Sequence, residues 1–425
     1  MKIKTRSSFL QSITILTSGS VIAQVITVIS APLITRLFTP QEIGIYTFIL
    51  SISFLFIGII NGRYDMSIVT EKKEKNIFIL IKLSLIICIC ASIVISLAYA
   101  LYFKYFSSKY ESYAYTFIFL FIMLISYGII NVLTAYNNRC KEYRLMSSLY
   151  VIRAVCQNFG AIIFGFLQTG MLGLLITYVI GQIMGLRRQA KSLKPYYREL
   201  KNVTTKQMIE VAKIHYRQPL FSAPAVFVNN FSYSSITFFI QALFGMSIVG
   251  FYSISVRILG LPLAIISGNV SRVFFEDASK EYIKTGQFNR TFKKTTLFLG
   301  SLAIPMVLMM IVIVPTLTTL IFGEGWKEAG DYIKILATMF GLRFIVTSLT
   351  PGILIANKQK YELIIQVLFI ISSISCYIVS KIILLNIVEY LTIINISFST
   401  IYIIYFIVLY KCSKIKNGEN VNVKN

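Results

Sequence analysis

The chain is 425 residues long, 56% hydrophobic and only 14% charged, with a mean hydropathy of +0.73, which is too apolar for a soluble globular protein. Its net charge of +24 would suit a nucleic-acid binder, but most of the 41 Lys and Arg fall in alternate gaps between apolar stretches, the sidedness of cytoplasmic loops. Nucleic acid is thereby excluded as a partner; the basic excess reads as a topology signal and a contact for anionic lipid headgroups.

Crossing a hydrocarbon core of ~30 Å takes roughly 20 apolar residues, and the sequence predicts about twelve such spans. In chain order the first six are 10–36, 43–62, 77–103, 114–136, 147–167 and 170–187. The next six are 219–243, 247–270, 295–322, 331–356, 362–385 and 388–410. The basic start Met1-Lys2-Ile3-Lys4 leads into an apolar stretch longer than a signal-peptide core, so the first helix is expected to stay. With the N-terminus inside, an even number of spans returns the C-terminus to the cytoplasm. Outer loops are short except 104–113 and 323–330, which carry the interfacial aromatics Tyr102, Tyr105, Tyr110, Tyr113 and Trp326. The expected organisation is an N-terminal six-helix lobe 1–190, a basic cytoplasmic linker 191–217, a C-terminal six-helix lobe 218–412 and a disordered tail 413–425. The segment 271–294 is expected as an amphipathic surface helix with Val273, Phe274, Tyr282 and Phe288 on one apolar side.

The halves echo each other. Leu37-Phe38-x5-Gly44-x-Tyr46-Thr47 is matched by Leu243-Phe244-x5-Gly250-x-Tyr252-Ser253, and Asn138-Arg139-Cys140-Lys141-Glu142-Tyr143 by Asn357-Lys358-Gln359-Lys360-Tyr361. Copies separated by an even number of spans share one orientation, as parallel repeats about an axis normal to the membrane. The expected fold is therefore all-α and integral to the membrane, two six-helix lobes around a central cavity.

Enzyme signals are almost absent: one His, no glycine-rich phosphate loop carrying a Lys, no paired carboxylates at membrane depth. The lone His215 reads as an interfacial residue at the cytoplasmic entrance to the seventh helix, and the six cysteines, without metal or redox spacing, as packing residues. Charges inside spans are more informative, because an arginine at a helix centre costs at least ~2.5–3.5 kcal/mol. Lys82, Arg153, Lys334 and Lys381 lie close enough to a helix end to snorkel. Arg257 and Arg343 lie about 15 Å from either end at ~1.5 Å per residue, with no acidic residue within a turn. Both are expected to line a polar cavity. Polar stripes point the same way: Gln24 and Thr27 on the first helix, Asn131 and Thr134 on the fourth. Arg153 and Gln157 follow on the fifth, Asn229 and Tyr233 on the seventh. Guanidinium forks suit phosphate or pyrophosphate, while amides, hydroxyls and aromatic faces suit sugars.

Three further stretches carry a family likeness. They are Pro32-Leu-Ile-Thr-Arg36-Leu-Phe-Thr-Pro40-Gln-Glu-Ile-Gly44-Ile-Tyr46, Arg63-Tyr64-Asp65-Met-Ser-Ile, and Asn138-Arg139-Cys-Lys141-Glu-Tyr143. Pro219-Leu-Phe-Ser-Ala-Pro224 and Val249-Gly-Phe-Tyr252-Ser-Ile-Ser-Val-Arg257-Ile-Leu-Gly-Leu-Pro262 extend it into the second half. In these the sequence resembles the Wzx-type lipid-linked oligosaccharide flippases of O-antigen and capsule export, within the multidrug/oligosaccharidyl-lipid/polysaccharide exporter superfamily. The resemblance implies a flippase that turns undecaprenyl-pyrophosphate-linked repeat units across the bacterial plasma (inner) membrane by alternating access. It further implies lumen cations that hold the anionic cargo, proton or sodium as coupling ion with no other cofactor, and a polysaccharide polymerase and chain-length regulator as partners beside the membrane lipids. On this reading Arg257 and Arg343 are the main anion contacts, Arg153 and Lys82 lie near the inner gate and Arg36 near the outer one, and Arg63, Tyr64, Asp65 and Arg139 form gate motifs. The chain departs from the family pattern after Asp65, where it runs into Thr70-Glu71-Lys72-Lys73 without the proline often found there. The rival readings are a multidrug or small-solute exporter of the same superfamily and a membrane polysaccharide polymerase, which would need a larger outer loop.

Overall fold

In the computed structural model the described residues are 2–106 and 113–414, with side chains described from residue 15 except 16 and 106. The side chains of the basic start, most of the outer loop 104–113 and the tail from 415 lie outside the described residues. Among the described residues there is no β-strand, and the helices are α1 Lys2–Leu37, α2 Pro40–Ile57, α3 Tyr64–Thr70, α4 Glu74–Phe106, α5 Phe117–Arg139, α6 Tyr143–Phe166 and α7 Met171–Ile183. The short helices α8 Leu186–Gln189, α9 Tyr197–Lys201 and α10 Thr205–Ile214 lead to α11 Ala223–Phe244 and α12 Met246–Leu259. Then come α13 Gly268–Thr285, α14 Asn289–Val312, α15 Val314–Phe322, α16 Lys327–Leu349, α17 Gly352–Ile355, α18 Gln359–Ile383 and α19 Ile387–Lys414.

Among the described residues, nine helices are long and apolar enough to cross a membrane, ten with α12 and the segment Leu263–Thr285 taken as one span bent by 41°. The remaining two of the twelve expected spans are α7 and α11. At 13 residues α7 covers only about 20 Å, while α11 carries Asn229, Asn230 and a run of hydroxyls that dilute its hydropathy. The chain is a multi-pass, all-α membrane protein.

Two compact units, Met1–Ser234 and Ser235–Asn425, divide the chain, and the division falls inside α11. In the first unit α1 packs on α6, α6 on α7, and α4 on α5, with α3 docked against both α4 and α5. Local chemistry sets the turn between α1 and α2. The amide of Glu42 donates to Thr39 Oγ1 (3.3 Å) and the amide of Thr39 to Glu42 Oε2 (2.8 Å), a reciprocal cap with Pro40 in the first helical turn. The Thr-Pro-x-Glu portion of the sequence motif is thus a helix start. The segment 191–217, expected as a linker, is folded: α10 starts on a second reciprocal cap, Thr204 with Gln207. Its Met208, Val211 and Ala212 share one face and join Ile68, Leu80 and Tyr136 in a common apolar cluster.

The second unit is arranged around α16, which meets α12, α14, α15 and α19 and buries Leu336, Phe340, Phe344 and Leu349 almost fully. Two expectations change here. The span 295–322 is broken at Ile313 ahead of Pro315, giving α14 and α15. The surface helix expected over 271–294 is α13 followed by the start of α14; Phe274 and Phe288 are buried whereas Val273 is 62% exposed, since neighbours in an α-helix lie about 100° apart and cannot share a face.

Candidate functional site

Each unit contains a cavity whose lining is mostly apolar, with a few polar side chains set into it. That of the second unit, about 500 Å³, is bounded by Gly260, Ala264, Ser267, Phe340, Arg343 and Thr347 among others. A π-helical turn, Leu263–Ser267, forms one wall; such a turn holds one residue more than α geometry needs and recurs at functional sites. Ser267 Oγ donates to the carbonyl of Phe344 (3.3 Å), tying this wall to α16. The Arg343 guanidinium carbon lies 5.5 Å from the Phe340 ring centre. Among the described residues that line this cavity, Arg343 alone carries a formal charge. Its neighbours Val256 and Gly260 line the wall, but Arg257, half-buried between them on α12, is not part of it. Of the two arginines expected to line a polar cavity, Arg343 lines this one.

The cavity of the first unit, about 600 Å³, is bounded by Arg63, Asp65, Asn131, Thr134, Asn138 and Gln218, with apolar residues between. Arg63 stands in left-handed backbone (φ 62°) just before α3. Its Nε donates to Ser222 Oγ (3.2 Å) and its Nη1 to the carbonyl of Gly58 (3.5 Å). Asp65 is 7% exposed; burial holds its carboxyl above the usual range, and the Arg63 charge offsets only part of that rise. Asn131 Nδ2 donates to the carbonyl of Ile57 (2.8 Å) and to Asn61 Oδ1 (3.4 Å). Thr134 Oγ1 accepts from Gln189 Nε2 (2.9 Å), and Gln189 Oε1 accepts from Arg153 Nη2 (2.9 Å). Arg153 thus reaches the cavity only through Gln189, a residue that sequence reasoning missed because it lies at the edge of a basic, polar stretch.

Other expected site residues fall elsewhere. Lys82 Nζ donates to the carbonyls of Val203 (2.8 Å) and Lys201 (3.2 Å), fastening the end of α9. Arg139 Nη1 donates to the carbonyls of Ile68 (3.3 Å), Val69 (3.2 Å) and Glu71, closing the C-terminal end of α3. Tyr64, 7% exposed, belongs to the apolar cluster beneath α10. Gln157 Nε2 donates to the carbonyl of Tyr178 (3.5 Å), whose hydroxyl meets that of Tyr127. Gln24, Asn229 and Tyr233 are half-buried, and Arg36 is exposed in the last turn of α1. It is Asn230 rather than Asn229 that binds α2, through the carbonyl of Phe54 (3.1 Å). At Gly58 an added Cβ would lie 2.6 Å from Val226 Cγ1, so glycine permits this crossing. His215 also has a definite partner: its Nε2 lies 2.9 Å from Glu71 Oε2. The stretch that departs from the family pattern is therefore a tied junction between α3, α4 and α10.

Residues 33–331, more than half of the chain, match the family described as "Polysaccharide biosynthesis protein". The chain belongs to that polysaccharide biosynthesis family. No curated protein sequence matches it. Among solved structures, this family member is similar to an inward-facing multidrug resistance MATE family transporter of the MOP superfamily, at 13% identity and a TM-score of 0.69 over 92% of this chain and 96% of that one. The lipid II flippase MurJ, in an inward closed conformation, matches at 13% identity and a TM-score of 0.68 over 93% of this chain and 87% of that one. A MOP superfamily transporter from Pyrococcus furiosus, whose binding pocket is described as reversed in polarity, matches at 13% identity and a TM-score of 0.62 over 95% and 96%. At such identities the likeness establishes a shared fold for this polysaccharide biosynthesis protein.

Proposed function

We propose that this protein is a flippase that carries undecaprenyl-pyrophosphate-linked oligosaccharide repeat units across the bacterial inner membrane by alternating access, for O-antigen or capsular polysaccharide export. The observation that carries this reading is Arg343, the one charged residue lining the cavity of the second unit among the described residues. It stands on the helix about which that unit is packed. A guanidinium at membrane depth is costly, by at least ~2.5–3.5 kcal/mol, and its planar fork matches the oxygens of a pyrophosphate. Membership in a polysaccharide biosynthesis family and a fold shared with a lipid II flippase support the same cargo class. On this reading both termini are cytoplasmic, proton or sodium antiport drives the cycle, no bond in the cargo is made or broken, and a polymerase and a chain-length regulator take over the product.

The test replaces Arg343 by Ala and by Lys in cells that depend on this protein. Arg343→Ala is expected to lower surface polysaccharide more than tenfold at unchanged protein level, with lipid-linked oligosaccharide accumulating in the inner leaflet, while Arg343→Lys retains part of the activity. Normal surface polysaccharide in Arg343→Ala sinks the assignment. Changed drug susceptibility in a deletion strain that still makes its polysaccharide would favour a multidrug exporter instead.

A further inference from the structure

We infer that the cavity of the first unit binds a neutral, polyhydroxylated sugar ring, the glycan end of the cargo; this rests on the flippase reading above. Charge balance carries the argument. Among the described residues that line it, two are charged, Arg63 and Asp65, and they are of opposite sign. An anion would meet the carboxylate as well as the guanidinium, so a phosphate gains little there, in contrast to the cavity around Arg343. A sugar hydroxyl both donates and accepts, and so uses both partners: it donates to the Asp65 carboxylate and accepts from the Arg63 guanidinium.

The polar groups around this pair are already held in place. The two hydrogen bonds of Arg63, to Ser222 and Gly58, use Nε and Nη1 and fix the plane of its guanidinium. Those of Asn131 both come from Nδ2, which leaves its Oδ1 as an acceptor. Thr134 Oγ1 accepts from Gln189, so its own hydrogen is available to donate. Donors and acceptors from α3, α5 and the turn before α3 therefore surround one space, whose volume of about 600 Å³ lies within the usual ~300–1,000 Å³ of small-molecule sites. Asp65 adds selectivity. A buried carboxylate, 7% exposed, repels a hexuronic acid and accepts a hexose or N-acetylhexosamine.

The test uses the full-length protein in lipid nanodiscs and three probes: citronellyl pyrophosphate, citronellyl-pyrophosphate-N-acetylglucosamine and citronellyl-pyrophosphate-glucuronic acid. The wild type is expected to bind the N-acetylglucosamine probe about tenfold more tightly than either of the others, the scale of one net hydrogen bond. Asn131→Ala and Thr134→Val are each expected to bring that ratio towards one while affinity for citronellyl pyrophosphate stays unchanged. Asp65→Asn is expected to relieve the discrimination against glucuronic acid. Arg343→Ala is expected to weaken binding of citronellyl pyrophosphate. Equal wild-type affinities for the sugar-bearing and sugar-free probes, or a ratio that survives both Asn131→Ala and Thr134→Val, overturn the sugar site and leave the flippase reading standing. Failure of the wild type to bind any probe overturns both.

Discussion

Glu71 shows how much a single side chain can tie together. Its Oε1 accepts from the amides of Lys72 and Lys73 (both 2.9 Å) and its Oε2 faces His215. The Lys73 amide most of all, together with the His215 side chain and the Lys72 amide, holds its carboxyl below the usual glutamate range, against an opposing effect of burial second only to that of the Lys73 amide. A carboxyl lowered in the folded state contributes stability above its unfolded pKa and loses it as pH falls through the lowered value. Glu71→Gln is therefore expected to destabilise the purified protein at pH 7 by about 1 kcal/mol. The difference from wild type should narrow as pH drops below the ordinary glutamate range of about 4.3. Melting curves of both forms between pH 7 and the lowest pH at which the protein stays soluble decide it; a gap that does not narrow refutes the account. Sequence reasoning placed His215 at an interface without a partner, because the two residues are remote in sequence and meet only once α10 has folded back on α4.

At the scale of elements, the π-turn of the second unit yields a prediction that substitution cannot test. Deleting exposed Ile265 would remove the residue that α geometry does not need and restore a regular helix, with the segments on either side left in register. The bulge that forms one wall of the cavity around Arg343 would be flattened. Transport is expected to fall at least as far as in Arg343→Ala, while Ile265→Ala keeps near-normal transport; equal activity in the deletion and the point variant counts against a functional turn. The positions of helices were legible because apolar length survives without any tertiary knowledge, as α4, α5 and α14 show. Their internal breaks were less so. Pro315 and Pro262 stand in the sequence, but prolines are tolerated within membrane helices, so nothing in the sequence said which would break its span. The site was legible in kind, a deep arginine beside small and hydroxyl residues, but which of two arginines faces the space depends on how α12 is rotated, and helix periodicity does not set that.

Seen whole, the two halves repeat a turn that the sequence echo placed slightly out of register. Lys141 (φ 60°) precedes a bond from the Glu142 amide to the carbonyl of Asn137, and Asn357 (φ 53°) precedes one from the Lys358 amide to that of Ile353. Gln168 (φ 52°) and Leu384 (φ 61°) stand likewise before the bonds of Thr169 to Phe164 and Leu385 to Ser380. The same interval of sequence separates the members of each pair, so Lys141 corresponds to Asn357, where the sequence had aligned Asn138. Hydropathy is blind to this because a left-handed residue needs no particular polarity. These turns leave stability unclaimed. Left-handed backbone costs an ordinary side chain ~1–2 kcal/mol, and glycine would remove that cost at Leu384, which is 86% exposed, and at Lys141 and Gln168 as well. Lys141 and Gln168 flank opposite ends of the 24-residue α6, and sites that share no contacts add nearly independently. The triple variant is expected to melt several degrees above wild type in detergent with transport intact, and an unchanged melting temperature would show that their surroundings favour the side chains. A protein that is easier to purify and reconstitute would thus come from the points where its chain reverses direction.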